Sequence, residues 1–122
     1  MRVLIVEGND ALAAVWRGHL DRLGHEVVLA TDEADAIRAI RFQSPDVIVM
    51  NLVLNGGSAL SISDFAGFLR PQAQIIFVTN SSFFSDGSIF AHAANACAFV
   101  PEAVPPDDLC AMVEYWGASV QA

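Results

Sequence analysis

Few side chains in this sequence stand where a folded chain could use them for chemistry, and those that do follow short apolar runs. Asn51 follows Val47-Ile48-Val49-Met50, Glu7 follows Val3-Leu4-Ile5-Val6, and Thr79 follows Ile75-Ile76-Phe77-Val78. An unbroken run of β-branched and apolar residues suits a strand buried on both faces, the pattern of a parallel sheet covered by helices. Open α/β sheets build their sites at the carboxyl ends of such strands. Of the groups placed there, the amide of Asn51 is no nucleophile of the carboxylate kind. His19, His25 and His92 are scattered and offer no convincing ligand set, and no Ser/His/Asp triad stands out. Asn55-Gly56-Gly57-Ser58 leads into a helix start. It lacks the GxGxxG and GxxxxGK spacings of phosphate-binding loops, which weighs against an unrelated anion binder.

The elements that must position these groups alternate along the chain. Arg2 to Val6 reads as a first strand, closed by the loop Glu7-Gly8-Asn9-Asp10, with Asn9 or Asp10 as the cap of a helix. Leu12, Val15, Trp16, His19, Leu20 and Leu23 recur at helical spacing until Gly24 stops the helix. Glu26 to Ala30 is a second strand. Thr31 or Asp32 caps a second helix with Ala36, Ile37 and Ile40 on its buried face and Arg38 and Arg41 outside, closing near Ser44-Pro45. After the central strand, a helix from Ser58 to about Leu69 has Leu60, Ile62, Phe65, Phe68 and Leu69 as apolar positions, weakened by Gly67. Gln74 to Val78 is a fourth strand. A Ser-rich loop with Phe83 and Phe84, a short helix over 88–95, a fifth strand from Cys97 to Val100 and a last helix from Pro105 to Gly117 complete the chain. Five alternations of strand and helix argue a doubly wound, five-stranded parallel α/β sheet with helices on both faces.

Composition bounds the rest. The 122 residues suit one domain, 1–122, able to bury roughly two-thirds of its unfolded surface. A hydrophobic fraction of 54% against 16% charged residues excludes disorder. No apolar run approaches the ~20 residues that span a bilayer, so the expectation is a cytoplasmic chain without a membrane partner. The net charge is −8, from 14 acids and six arginines with no lysine, which argues against direct binding of nucleic acid. Cys97 and Cys110 lack metal-ligand spacing and read as reduced core thiols.

These residues carry a resemblance to the receiver domains of response regulators, the CheY-like family. The family's central pattern is Pro-Asp, four apolar residues, Asp-Leu-x-Leu and Pro-Gly-x-Asp-Gly. The chain matches it at Pro45, Asp46, Leu52, Leu54 and Gly56, and departs at Asn51, Asn55, Ser58 and Ala59. Val3-Leu4-Ile5-Val6 before an acid, Gly24-His25-Glu26-Val27, Ile75-Ile76-Phe77-Val78-Thr79, Ala98-Phe99-Val100 and Asp107-Asp108-Leu109 extend the resemblance over the whole chain. It implies a flavodoxin-like receiver fold and a two-component or phosphorelay signalling role that is not enzymatic. It also implies a phosphorylation site, and there the chain differs at several positions together. Asn51 stands where the family has its phosphoryl-accepting aspartate, so the acyl phosphate cannot form on it. Glu7 matches the first of two acids that hold Mg²⁺, but the second is Gly8, so Mg²⁺ binding is expected to be weak or absent. Thr79 keeps the family's hydroxyl, although Asn80 beside it narrows access.

Phe99 falls on the family's aromatic switch position. Counting back seven from Leu109 puts Glu102 where the family has a lysine, a reversal of charge. Glu102 could instead accept a hydrogen bond from the Asn51 amide and close the pocket without phosphate. The leading expectation is a pseudo-receiver, not phosphorylated, that acts by protein–protein interaction with a histidine kinase, a downstream effector or a second copy as a homodimer. Its output face would draw on Phe83, Phe84, Phe90, Phe99, Tyr115 and Trp116, together with Ile89, His92, Val104 and Met112. The alternative is a receiver still regulated by a phosphoryl signal or small ligand through altered chemistry.

Overall fold

The computed structural model describes residues 1–54, 57–79 and 96–121, with side chains through residue 118. The expected loop around Phe83 and Phe84 and the expected helix over 88–95, with Phe90, lie outside the described residues. The order is β1 (Arg2–Val6), α1 (Asp10–Arg22), β2 (Glu26–Ala30), α2 (Glu33–Gln43), β3 (Val47–Asn51), α3 (Ala59–Leu69), β4 (Gln74–Thr79), β5 (Ala96–Pro101) and α4 (Pro106–Gln121). All strand pairs are parallel, in the order β2-β1-β3-β4-β5. The result is a five-stranded parallel α/β sheet of the expected doubly wound type.

The unbroken apolar runs are explained by what each face of the sheet meets. Leu4, Val6, Ile48, Met50, Ile75 and Phe77 point to one side, where they pack on Ala36, Ala39 and Ile40 of α2 and Ala59, Ile62 and Ala66 of α3. Their sequence neighbours Val3, Ile5, Val47, Val49, Ile76 and Val78 point to the other side. There they meet Ala13, Trp16 and Leu20 of α1 and Leu109, Cys110 and Val113 of α4. Successive strand residues face opposite ways. With helices on both sides, every position of β3 is buried.

Local chemistry sets the ends of the elements. The Asn9 side chain accepts from Leu12 N at 3.1 Å and starts α1, and Asp32 does the same for α2 through Asp35 N at 2.8 Å. Gly24, at φ +87°, takes the left-handed turn after α1 that a side chain would resist. At Gly117 a Cβ would lie 2.1 Å from Met1 Sδ, so only glycine lets the Met1 side chain lie against α4. The arginine at the start of β1 ties three segments together. Arg2 N donates to Asp46 Oδ2 at 2.9 Å, and its guanidinium donates to Glu26 Oε2 and to the carbonyl of Gln43.

Three expectations need correction. Phe68 is not a core position of α3 but is 85% exposed, because the buried stripe runs through Ala59, Ile62, Ser63 and Ala66 and leaves Phe68 on the opposite side of the wheel. Val15, placed by spacing on the buried face of α1, is exposed for the same reason, the stripe being Ala13, Trp16 and Leu20, whereas Leu23 is exposed because it is the C-cap, past the last turn of the helix. β5 starts at Ala96, and its register with β4 slips between Ile75 and Ile76 so that Cys97 has no partner in the ladder. Its thiol instead donates to Ile75 O at 3.4 Å.

Both cysteines are free thiols. Burial pushes the Cys97 thiol up to about 12. Burial also raises Cys110, helped by the nearby acids Asp107 and Glu114. A thiol whose folded pKa is raised lends stability that is complete below its unfolded value near 9 and is lost as pH climbs toward the folded value. Stability measured by urea unfolding is therefore expected to fall between about pH 9 and pH 12, and this loss should shrink in Cys97→Ala. Unfolding should also separate the two kinds of apolar position, with Ile48→Ala costing about 2–5 kcal/mol and Phe68→Ser within about 0.5 kcal/mol of neutral.

Candidate functional site

Three strand ends converge on one polar cluster. Glu7 leaves β1 with its main chain still paired, Glu7 N donating to Ala30 O at 3.0 Å, and its side chain is only 4% exposed. Asn51 closes β3 and is as deeply buried. Glu102 follows β5 directly, and its N–H donates to Thr79 O at 3.0 Å, which fixes the start of that loop against the end of β4. Parallel strands in register bring these ends to the same side of the sheet.

The Asn51 amide joins them. Its Nδ2 donates to Glu7 Oε2 at 2.7 Å and to Glu102 Oε1 at 3.0 Å, while its Oδ1 accepts from Val53 N at 2.9 Å. One NH₂ group has two hydrogens, and each goes to a different carboxylate. Turning the amide over would aim its oxygen at both acids and its hydrogens at the Val53 N–H, so the partners fix its orientation. The other oxygen of Glu7 accepts from Asn9 N at 3.0 Å, so the residue that caps α1 also steadies the buried acid. The contact between Asn51 and Glu102 is the one that the two residue types suggested from sequence. The supporting N–H groups of Asn9 and Val53 were not foreseen, since backbone donors leave no mark in the sequence.

The arrangement sets what the site can hold. Mg²⁺ requires several oxygens free to turn toward it. Here Gly8 brings no side chain, both Glu7 oxygens are occupied, Asn51 Oδ1 is held by Val53 N, and hydrogens of an amide occupy the space between the two acids. The donor set does not fit Mg²⁺. Among the described residues no group of three or more His, Cys, Asp or Glu is placed to hold a metal ion.

The remaining candidates fall around this cluster or away from it. Thr79 is 1% exposed at the end of β4, opposite Pro101 in the ladder. Phe99 stacks on Phe77 with ring centroids 5.1 Å apart and planes 19° off parallel, which packs it toward the α2 and α3 side of the sheet. Tyr115 and Trp116 lie on α4 in edge-to-face contact at 5.1 Å, with Tyr115 70% exposed. His19 and His25 belong to the seam between α1 and α4, beside Asp107 at 3.3 Å and Glu114 at 3.8 Å. Phe83, Phe84 and Phe90 lie outside the described residues.

An aspartate at position 51 would put a third carboxylate among two. Asn51→Asp is expected to destabilise the protein by on the order of 2–3 kcal/mol at pH 7, through loss of two hydrogen bonds to charged groups. Adding Glu102→Lys should recover at least ~1 kcal/mol of this, measured as the coupling in a double-mutant cycle of urea unfolding.

Comparison with known proteins agrees with this fold. The family model described as the response regulator receiver domain matches residues 3–114. The transcriptional regulatory protein AfsQ1 of Streptomyces coelicolor is 35% identical over 54 residues, covering 44% of this chain and 24% of that protein. The luminescence regulatory protein LuxO of Vibrio campbellii is 28% identical over 75 residues, covering 62% of this chain and 17% of that protein. The chain thus spans about a quarter or less of the length of these curated relatives. Among solved structures, a CheY-like response regulator receiver domain protein from Methanospirillum hungatei superposes with a TM-score of 0.88 at 23% identity, over 98% of this chain and 95% of that one. The receiver domain of a LuxO repressor protein from Vibrio parahaemolyticus gives 0.87 at 20% identity, over 98% and 92%. These structural likenesses speak for the fold, and the family match over nearly the whole length speaks for membership: the chain belongs to the response regulator receiver domain family.

Proposed function

We propose that this chain is a receiver-like signalling domain that is not phosphorylated at residue 51 and acts by contact with another protein. The supporting observation is the Asn51 amide clamped between Glu7 and Glu102. A receiver that accepts a phosphoryl group needs a carboxylate nucleophile, a cation and a positive side chain, and in this reading each is replaced: Asn51 for the nucleophile, Gly8 for one cation ligand, Glu102 for the positive group. A carboxylate about 4 Å from a phosphoryl charge costs roughly 4 kcal/mol per pair of unit charges at an effective dielectric of ~20. The amide lets two acids approach each other where a phosphoryl group could not lie.

In this reading the partner is a histidine kinase, a downstream effector or a second copy of the chain. Phe99, Val104, Met112, Tyr115 and Trp116 are the described residues of the proposed output face. Exposed Tyr115 beside Trp116 on α4 suits such a face, since aromatic side chains are enriched in protein interfaces. The net charge of −8 disfavours nucleic acid as a direct partner. No described helix is long and apolar enough to cross a membrane.

Incubation with acetyl phosphate and Mg²⁺, read by intact mass, tests the proposal. The chain is expected to take up no phosphoryl group, and the triple variant Gly8→Asp, Asn51→Asp, Glu102→Lys is expected to gain one. An adduct on the unaltered chain would overturn the proposal.

A further inference from the structure

The edge of the sheet formed by β2 carries a surface that the Asn51 site does not use. No described strand pairs beyond β2. Which of its main-chain groups are open follows from its inner side, where Glu26 N donates to Met1 O and Ala30 O accepts from Glu7 N. Residues 26, 28 and 30 therefore turn their main chain toward β1. Successive residues of a strand alternate, so the N–H and C=O groups of Val27 and Leu29 face outward. Such a row of groups is a template for another extended segment. The strand reads Glu-Val-Val-Leu-Ala, without proline, and its one charge, Glu26, is engaged by Arg2 at 2.9 Å.

Beside this edge runs a groove of about 480 Å³ between β2 and α2. Val28, Leu29, Ala39 and Phe42 supply apolar lining, with Asp35, Arg38 and Gln43 as the polar residues, Arg38 lying 3.3 Å from Asp35 in an exposed pair that a partner carboxylate would have to share. Phe42 is 71% exposed, and the Arg41 guanidinium lies over its ring, 6.0 Å from the centroid. Charge narrows the occupant. In a chain of net charge −8, four of six arginines gather at this end of α2. Arg2 and Arg70 donate to carbonyls in its last turns, while Arg38 and Arg41 are carried on the helix itself. Glu26 pairs with Arg2 and Asp35 with Arg38, so the four cations outnumber the two acids bound to them, and of the two on the helix Arg41 is the less engaged by an acid. Positive charge beside an exposed aromatic ring and an open strand edge complements an acidic, partly apolar peptide. A second copy is the poorer occupant, because it would bring its own arginines, not carboxylates, to Arg38 and Arg41 if the two edges paired symmetrically.

We infer that the β2 edge docks an extended acidic segment of a partner protein. The segment pairs with the main chain of Val27 and Leu29, lays an apolar side chain against Phe42, and sets its carboxylates beside Arg38 and Arg41. This surface lies apart from the Asn51 cluster and does not depend on whether that cluster accepts a signal.

The test is an amide NMR titration of the full chain with a pool of acetylated, amidated octapeptides in which Glu alternates with Leu, Val or Phe. Shifts are expected to concentrate at Val27, Leu29 and residues 38–43. The apparent affinity should fall at least tenfold in Arg38→Glu with Arg41→Glu, and likewise in Phe42→Ser. All three side chains sit outside the core, so the unbound variants should keep the parent's thermal midpoint within a few degrees, which separates lost docking from lost folding. Absence of shifts at β2 up to millimolar peptide would overturn the inference. Equal binding of a pool with Lys in place of Glu would do so too, as would a dimer by sedimentation that is abolished by Phe42→Ser.

Discussion

A primary amide with two hydrogens, shared between two carboxylates, is the interaction on which the polar end of this sheet depends. Neither acid has a cation among the described partners that the geometry records; what each has is one N–H of Asn51. Glu7 is almost wholly buried, and a buried carboxylate is tolerated only when its oxygens are hydrogen-bonded. Asn9 N and Asn51 Nδ2 meet that need. The amide in turn is held by Val53 N, so the start of the loop after β3, the start of α1 and the loop after β5 are linked through one side chain.

That linkage is possible because the sheet delivers the strand ends with little freedom. β1, β3 and β4 are apolar on both faces and are gripped by α2 and α3 on one side and α1 and α4 on the other. A one-residue slip in any of them would turn core side chains to the wrong layer. The register is therefore fixed by packing, and the positions of Glu7, Asn51 and Thr79 are fixed with it. The Phe77–Phe99 stack connects the neighbouring strand β5 to the same core, beneath the loop that carries Glu102.

The fold was readable in the sequence because its strands are unbroken apolar runs and its helices begin at Asn9, Asp32 and Ser58, residues whose side chains cap. Helix faces were less readable. In α3 hydrophobicity alone placed Phe68 inside, whereas the buried stripe is made largely of small residues, Ala59, Ser63 and Ala66, that let the helix approach α2 and the sheet. The slip at Cys97 was invisible, since no residue type announces a bulge there. At the site, the pairing of Asn51 with Glu102 could be inferred because the family resemblance implies an acid and a base at these two positions, and an amide and an acid are as complementary a pair. The roles of Asn9 N and Val53 N could not, because they are main-chain donors whose direction is set only by the folded loop.

Hydrogen bonds internal to the chain close the pocket, and an amide NMR titration with Mg²⁺ followed by Mg²⁺ and beryllofluoride tests this most directly. The prediction is that Glu7, Asn51, Thr79 and Glu102 keep their resonances unchanged through both additions. Saturable shifts at these residues that spread to Phe99 and Trp116 would show a pocket that opens to a phosphoryl mimic and drives a switch, and would contradict the account.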